Sequence, residues 1–205
     1  AYRLTAIMLL PCAVGLYVVG HETLLLLGGN AWSNAGYLLV AMAPSILAQG
    51  WMNLGGSVLA ARGKTGLLSA LTGLSLLVFL QMFVLGYFVG GEVWPLPLGP
   101  ALGMAWGLTI AFTVMLLGPF LWACLRAVEI PPLAVFATLR RPLWASLLMG
   151  LIVALVKSQL PSDWPLPARL FVQVAVGVLS YVALAWPEVC WLWSKRRERL
   201  YQPEA

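Results

Sequence analysis

A row of four polar side chains in an otherwise apolar stretch has the clearest chemical potential in this sequence. Ser45, Gln49, Asn53 and Ser57 recur every four residues. In a helix of 3.6 residues per turn, this spacing keeps them on one broad face. Their hydroxyl and amide groups could line a water-filled path touched by a polar substrate, or they could form hydrogen bonds between membrane helices. The sequence leaves both interpretations open and favours the second.

A weaker row of the same kind lies in a later apolar segment, at Gln173, Gly177 and Tyr181. The same two interpretations apply to it. Gln173 is therefore a candidate for the lining of a substrate cavity, but interhelical packing is the favoured interpretation.

Two sites carry ionisable groups beside apolar segments. Lys157 could attract a phosphate or an acidic sugar, because an ionisable group at membrane depth is a functional candidate. It precedes Pro161 by only a few residues, and the favoured interpretation is that its long side chain extends to the outer surface. His21 and Glu22 could act as a protonation switch, but solvated polarity at a helix end is the favoured interpretation.

Small residues recur every four positions at Gly99, Gly103, Gly107 and Ala111. Such spacing lets two membrane helices approach closely, and it predicts packing rather than chemistry. Three small residues of the preceding helix could form part of the opposing surface: Gly66, Ala70 and Gly73.

Patterns for covalent chemistry are not visible. No acidic residue falls in the middle of an apolar segment, and the three cysteines are far apart with no CxxC or Cys/His spacing. We therefore expect no catalytic residues, no metal site and no cofactor, and an enzyme is not the favoured class of protein.

The elements that must position these residues are long apolar segments. Of the 205 residues 61% are hydrophobic and 9% are charged, whereas a soluble domain carries about 25% charged residues. The prediction is an all-α integral membrane protein, a bundle of about six transmembrane helices with short interfacial helices, one of them at residues 133–139. A helix of roughly 20 residues spans the hydrocarbon layer. The predicted helices are 4–27, 36–60, 66–90, 100–125, 142–160 and 168–186, followed by a basic cytoplasmic tail at 188–205.

The cations sort by side when six crossings alternate the loops between two compartments. Lys157 and Arg169 fall on one side, and the other ten Lys and Arg residues fall on the opposite side. The positive-inside rule then places both ends of the chain in the cytoplasm. The cations form no patch, so the net charge of +5 does not indicate nucleic acid. Two groups of cations could hold anionic head groups of membrane lipids, and their role in setting the topology explains them equally well. They are Arg126, Arg140 and Arg141, and the tail cluster at residues 195–199.

Several features in order resemble a known family. The first is an arginine-led helix with a central proline, Arg3 to Pro11, and the second is a Leu-rich run that ends in two glycines before a tryptophan, Leu24 to Trp32. A basic turn follows at Leu59 to Lys64. The last two features are the glycine-spaced helix, Gly99 to Gly107, and the proline pair, Pro131-Pro132. In these features the chain resembles the C-terminal half of the bacterial polysaccharide and O-antigen flippases of the multidrug/oligosaccharidyl-lipid/polysaccharide exporter superfamily.

That resemblance implies roughly twelve to fourteen helices in two lobes around a cavity that opens alternately to each side. This chain would be one lobe, and the N-terminal lobe would lie in a longer protein. The implied cargo is an oligosaccharide linked to undecaprenyl pyrophosphate, moved across the bacterial inner membrane during polysaccharide or lipopolysaccharide biosynthesis. The cations that bind the cargo are expected in the upstream helices.

Two alternatives remain beside the flippase. One is an integral-membrane enzyme of envelope glycolipid synthesis, such as an acyltransferase or polymerase, which clustered His, Asp or Arg residues at one surface would support. The other is a structural membrane subunit that packs on a partner through its row of glycines.

Overall fold

The structure is a computed structural model that describes residues 2–94, 98–128, 132–161 and 163–186, without the side chains of residues 132–138. The predicted basic tail at 188–205 and the proline at position 131 lie outside the described residues. Within the described ranges, every regular element is helical. The helices are α1 Tyr2–Gly28, α2 Ser33–Met42, α3 Ser45–Ala61, α4 Thr65–Val93, α5 Gly99–Ile110, α6 Leu117–Val128, α7 Pro132–Gln159 and α8 Leu166–Leu184.

Five spans in the described residues are long and apolar enough to cross a membrane, and α2 with α3 makes a sixth if the pair is one span. A π-helical segment, Ala111–Leu116, joins α5 to α6, so that Gly99–Val128 is one span. These spans confirm the predicted all-α bundle of a multi-pass membrane protein.

The prediction of one helix over residues 36–60 is wrong. α2 and α3 are bent by 58° at a break, and Pro44 lies in this break. A proline has no backbone N–H to donate and its ring crowds the preceding turn, so it interrupts the helical hydrogen bonds. The apolar pattern continues unchanged through the proline, which is why the pattern alone did not reveal the break.

Two hydroxyl groups bond to backbone carbonyls at this break. Ser45 Oγ donates to the carbonyl oxygen of Met42 at 2.7 Å. Thr109 Oγ1, on the neighbouring α5, donates to the carbonyl oxygen of Ala41 at 2.7 Å. Since a polar backbone group without a partner is costly in hydrocarbon, these bonds stabilise the bent geometry.

A second boundary also differs from the prediction. Residues 133–139 are not a separate interfacial helix, because α7 is continuous from Pro132 and contains Pro142. A proline costs one backbone hydrogen bond, and membrane helices tolerate it where neighbouring groups bond to the freed carbonyls. At Pro11 of α1 the freed carbonyl is that of Ile7, and the Tyr181 hydroxyl of α8 donates to it at 2.7 Å. Near Pro142, the fully buried Ser146 Oγ donates to the carbonyl oxygen of Pro142 itself at 2.8 Å, within the turn that follows the proline.

α1 lies in the middle of the bundle and contacts α2, α3, α7 and α8. On one side its Val19 packs with Met149, Val153 and Leu170 of α7 and α8. On another side Leu10 packs in a cluster that includes residues of α3 and α6. The two polar regions of the molecule are therefore built against different parts of the same helix.

The predicted glycine row lies at the contact between α4 and α5. A Cβ added to Gly103 would meet the carbonyl oxygen of Gly86 and would lie 2.6 Å from Gly90 Cα. A Cβ on Gly99 would lie 2.6 Å from the carbonyl oxygen of Gly90, and one on Gly107 would meet a carbonyl of α4. The two backbones therefore touch along this row.

The predicted opposing surface is wrong. Nothing lies within 4 Å of a Cβ built on Gly66 or Gly73, and Ala70 is exposed. α4 and α5 run antiparallel through a short connection, so the start of α5 faces the end of α4. Residues 66–73 belong to the start of α4, at the opposite end of the pair.

We expect Gly103→Ala to lower the free energy of unfolding by about 1–3 kcal/mol, because the new methyl group forces the two backbones apart. Gly73→Ala is the matched control, and it should leave stability unchanged or raise it by up to ~1 kcal/mol, since alanine favours the helix. Unfolding by SDS titration in mixed micelles measures both. Equal behaviour of the two variants would contradict the close contact.

We expect Thr109→Val to lower the free energy of unfolding by about 0.6 kcal/mol, and by no more than ~1.7 kcal/mol, because the carbonyl of Ala41 loses its hydroxyl donor. The control is Thr72→Val, whose hydroxyl bonds only within its own helix, to the carbonyl of Leu68. The same titration compares them. A control that costs as much as Thr109→Val would show that the bond to α2 adds nothing.

Candidate functional site

The first two residues of the predicted polar row, Ser45 and Gln49, are hydrogen-bonded to each other. Gln49 Nε2 donates to Ser45 Oγ at 2.7 Å, and Ser45 Oγ donates to the carbonyl of Met42. Ser45 is buried and Gln49 is half-buried. These two side chains therefore form a short chain of hydrogen bonds across the break between α2 and α3, and among the described residues they bond to no helix outside this bent pair.

The second half of the row is exposed. Asn53 and Ser57 both lie on the surface, and the Ser57 hydroxyl bonds to the backbone carbonyl of Asn53 at 3.1 Å. The side-chain amide of Asn53 has no polar partner among the described residues. Its donors and acceptor are available to a ligand, to water or to another protein segment.

The surroundings of Asn53 differ from those of a lipid-facing position. The residues one turn before and after it are Gln49, Gly50, Gly56 and Ser57, all of them small or polar. A helix face that touches lipid tails exposes large apolar side chains instead.

Gln81 on α4 provides the comparison. It is also an exposed amide in a spanning helix. The residues one turn before and after it are Leu77, Val78, Val84 and Leu85, and three of these are large, exposed hydrophobic side chains. Gln81 thus lies among exposed apolar side chains, whereas the α3 residues one turn from Asn53 are small or polar, with Leu9 and Leu68 packed beside the two glycines. The α3 face has the composition of a surface that meets something other than lipid tails.

A second site joins three helices through one carboxylate. Glu22 of α1 lies 3.6 Å from Lys157 Nζ of α7 through Oε2, and 3.8 Å from Arg169 Nη2 of α8 through Oε1. Lys157 Nζ also donates to the backbone carbonyl of Val18 at 2.9 Å. We call Glu22, Lys157 and Arg169 the Glu22 cluster. The side chain of Glu22 is only 11% exposed, against 35% for Lys157 and 23% for Arg169.

One interpretation from the sequence is corrected by these contacts. Glu22 is not solvated, since the residue is buried. The ammonium group of Lys157 bonds to α1, and the extension of this side chain to the outer surface stays a prediction. His21, the neighbour of Glu22, packs its ring against Tyr37, with the ring centres 4.4 Å apart. The pairs join positions more than 130 residues apart along the chain, so the spacing of charges could not reveal them.

Gln173 lies one helical turn after Arg169 and is fully buried. Neither polar atom of its amide has a hydrogen-bond partner among the described residues. It shares the buried face of α8 with Leu170, Gly177 and Tyr181, and the Tyr181 hydroxyl donates to the carbonyl of Ile7 on α1 at 2.7 Å. Gln173 therefore faces the protein interior.

The structure does not bring the predicted cavity residues into one place. The polar row of α3 lies beside α1, α4 and α6, whereas Lys157 and Gln173 belong to the contact of α7 and α8 with α1. Within the described part of the chain, no group of three or more His, Cys, Asp or Glu side chains could hold a metal ion. A comparison with protein-family models, with curated proteins and with solved structures found no match to this chain.

We expect Glu22→Gln to lower the free energy of unfolding by about 2 kcal/mol, because it leaves two partly buried cations without their carboxylate. Adding Lys157→Gln removes one of these cations. The double variant should therefore be less destabilised than the sum of the two single changes, by at least ~0.5 kcal/mol. SDS titration of all four forms measures this coupling.

Glu92→Gln is the control for the loss of a carboxylate, because Glu92 is exposed at the end of α4. It should change stability by less than ~0.5 kcal/mol. Strict additivity of Glu22→Gln and Lys157→Gln would show that the two groups do not interact.

Proposed function

We propose that this chain is one half of a transporter that moves a lipid-linked oligosaccharide across the bacterial inner membrane, as a flippase of cell-surface polysaccharide biosynthesis. The observation that carries the proposal is the exposed amide of Asn53, which lies on α3 two turns beyond the buried Ser45 at the break between α2 and α3. The proposed cargo, a glycan on undecaprenyl pyrophosphate, and the missing N-terminal lobe come from the family resemblance. No covalent step is part of the proposed function.

The depth of the break supports this function. α2 has 10 residues, which is roughly 15 Å of helix. If α2 crosses upright, the break lies near the middle of a hydrocarbon layer about 30 Å thick. Transporters commonly place substrate sites near the midplane, beside helices that are interrupted there. Ser45, the first residue of the polar row, is also the first residue of α3 after the break.

The exposure of Asn53 supports a polar path rather than packing within this chain. A charged, hydroxyl-rich headgroup cannot cross hydrocarbon unaided, and polar groups between helices lower that barrier. A face of small and polar residues would serve this purpose if a second lobe stood opposite it. The same face would touch lipid tails in an isolated six-helix bundle, where Asn53 would be costly.

Two observations weigh against the alternatives. The row of glycines that would support a structural subunit packs against α4 of the same chain. The row is therefore not free to contact a partner protein. The charges of the Glu22 cluster are joined to one another and hold helices together. The proposed orientation has both chain ends in the cytoplasm, and its support is the distribution of cations between the loops.

Asn53→Leu tests the proposal, in the full-length protein and in cells that make a lipid-linked glycan. We expect delivery of the glycan to the outer leaflet to fall about tenfold, the equivalent of one lost hydrogen bond to a polar headgroup. Protein level and unfolding should not change, because the Asn53 amide makes no bond within the described chain. The measurement is the labelling of lipid-linked glycan exposed on the periplasmic side.

The matched control is Gln81→Leu, which also replaces an exposed amide in a spanning helix. Its surroundings are apolar, so glycan delivery should stay within about twofold of the unchanged protein. Gln49→Leu reports separately on the hydrogen bonds at the break, because it should lower stability as well as transport. Normal delivery with Asn53→Leu, or an equal loss with Gln81→Leu, would contradict a polar path along α3.

A further inference from the structure

A crevice with a mixed lining lies where α7 and α8 meet. It has a volume of about 310 Å³ and is lined by two arginines, a tryptophan and four apolar side chains: Arg140, Arg141, Trp144, Ala145, Leu148, Leu184 and Ala185. Arg141, Ala145 and Leu148 recur at helical spacing, so the lining changes from charged to apolar along one face of α7. This crevice belongs neither to the Glu22 cluster nor to the polar face of α3.

The two arginines of the crevice have no acidic partner among the described residues. Both are exposed. The third cation that the sequence groups with them, Arg126, lies elsewhere and stacks over the ring of Trp122 at 4.5 Å. Within the part of the chain that the structure describes, the crevice therefore carries two positive charges that no carboxylate offsets.

The apolar part of the lining continues from this rim toward the middle of the bundle. Trp144 is 60% exposed and Leu148 is 43% exposed, so neither is buried by its own chain. Tryptophan and arginine together are typical of the level where headgroups meet hydrocarbon. An occupant that fits must be anionic at one end and apolar at the other.

We infer that this crevice binds the phosphate headgroup of an anionic lipid, with its chains along Leu148 and Leu184. Guanidinium groups bond to phosphate oxygens in pairs, and this geometry is why arginine prevails at phosphate sites. The crevice adds a lipid site to the molecule whether or not the chain is a flippase. Glycerophospholipids and polyprenyl phosphates both carry the lipid phosphate group that the two arginines would bind.

Native mass spectrometry of the full chain in a neutral detergent tests the site. The probes are phosphatidylglycerol, a polyprenyl phosphate, and zwitterionic phosphatidylethanolamine. We expect one or both anionic lipids to be retained with one-to-one stoichiometry, and the affinity to fall about tenfold in Arg140→Gln/Arg141→Gln. Phosphatidylethanolamine should bind no better to the unchanged protein than to this variant.

The matched control is Arg62→Gln/Lys64→Gln, which removes the same charge from the turn between α3 and α4. Both of its cations are exposed, and neither lines the crevice. Lipid retention should change by less than about twofold, the spread expected of unspecific charge effects. An equal loss in both double variants would overturn the site, because it would show attraction by net charge alone.

Leu148→Trp tests the site without touching its charges. The larger ring fills the apolar part of the crevice, so the anionic lipid should be lost although both arginines remain. Inorganic phosphate at millimolar concentration should not displace the lipid. Displacement by phosphate alone, or unchanged lipid retention in both Leu148→Trp and the double arginine variant, would overturn a lipid site here.

Discussion

The absence of water around the spanning helices is the constraint on which this structure depends. Each backbone carbonyl in hydrocarbon needs a donor from the protein itself. Where a proline removes one N–H, a hydroxyl group stands close by. Ser45 bonds to the carbonyl of Met42 at the break beside Pro44, and Tyr181 bonds to the carbonyl of Ile7, the one that Pro11 leaves without an N–H donor. Many hydroxyls of the described chain are used this way, on backbone carbonyls three or four residues earlier, and are not available for chemistry.

The same constraint separates the polar groups that hold the bundle from those that could serve a ligand. Thr109, Tyr181 and Lys157 each donate to a carbonyl on another helix. They join α5 to α2, α8 to α1, and α7 to α1. Asn53 has no such bond, and it is exposed. A polar group that neither stabilises the fold nor faces an apolar surface is the natural place to look for transport.

The helical bundle could be predicted from the sequence because hydrophobic length alone reveals a spanning helix. What could not be predicted is what each proline does. Pro44 accompanies a bend of 58°, whereas Pro11 and Pro142 lie inside continuous helices. The difference depends on neighbouring helices, and these are brought together only by the fold.

The candidate sites likewise divide into those that the sequence could reveal and those that could be seen only in the fold. The polar row of α3 was visible because its members share one helix and a regular spacing. The Glu22 cluster was not, because its three members come from three helices: Glu22 and Lys157 stood out separately, but nothing in the sequence paired them. The glycines of α5 were visible as a row, but their partners on α4 follow from the antiparallel course of the hairpin. The periodicity of a sequence reveals which residues share one face of one helix. Which residues of two helices contact each other is known only once the helices are packed together.

The Glu22 cluster constrains how such a bundle could move. One carboxylate holds α7 and α8 against α1, and the glycine contact holds α5 against α4 with backbones touching. Separating either set would expose charges or carbonyls to hydrocarbon, which is expensive. The contact between α3 and α4 has no comparable bond in the described residues, and α3 is bent at its start. A rearrangement that opens a path along α3 therefore costs the least free energy if the contacts within each set stay intact. In such a rearrangement α1, α7 and α8 move as one unit, and α4 and α5 move as another. The angle between α2 and α3 at Pro44 then changes.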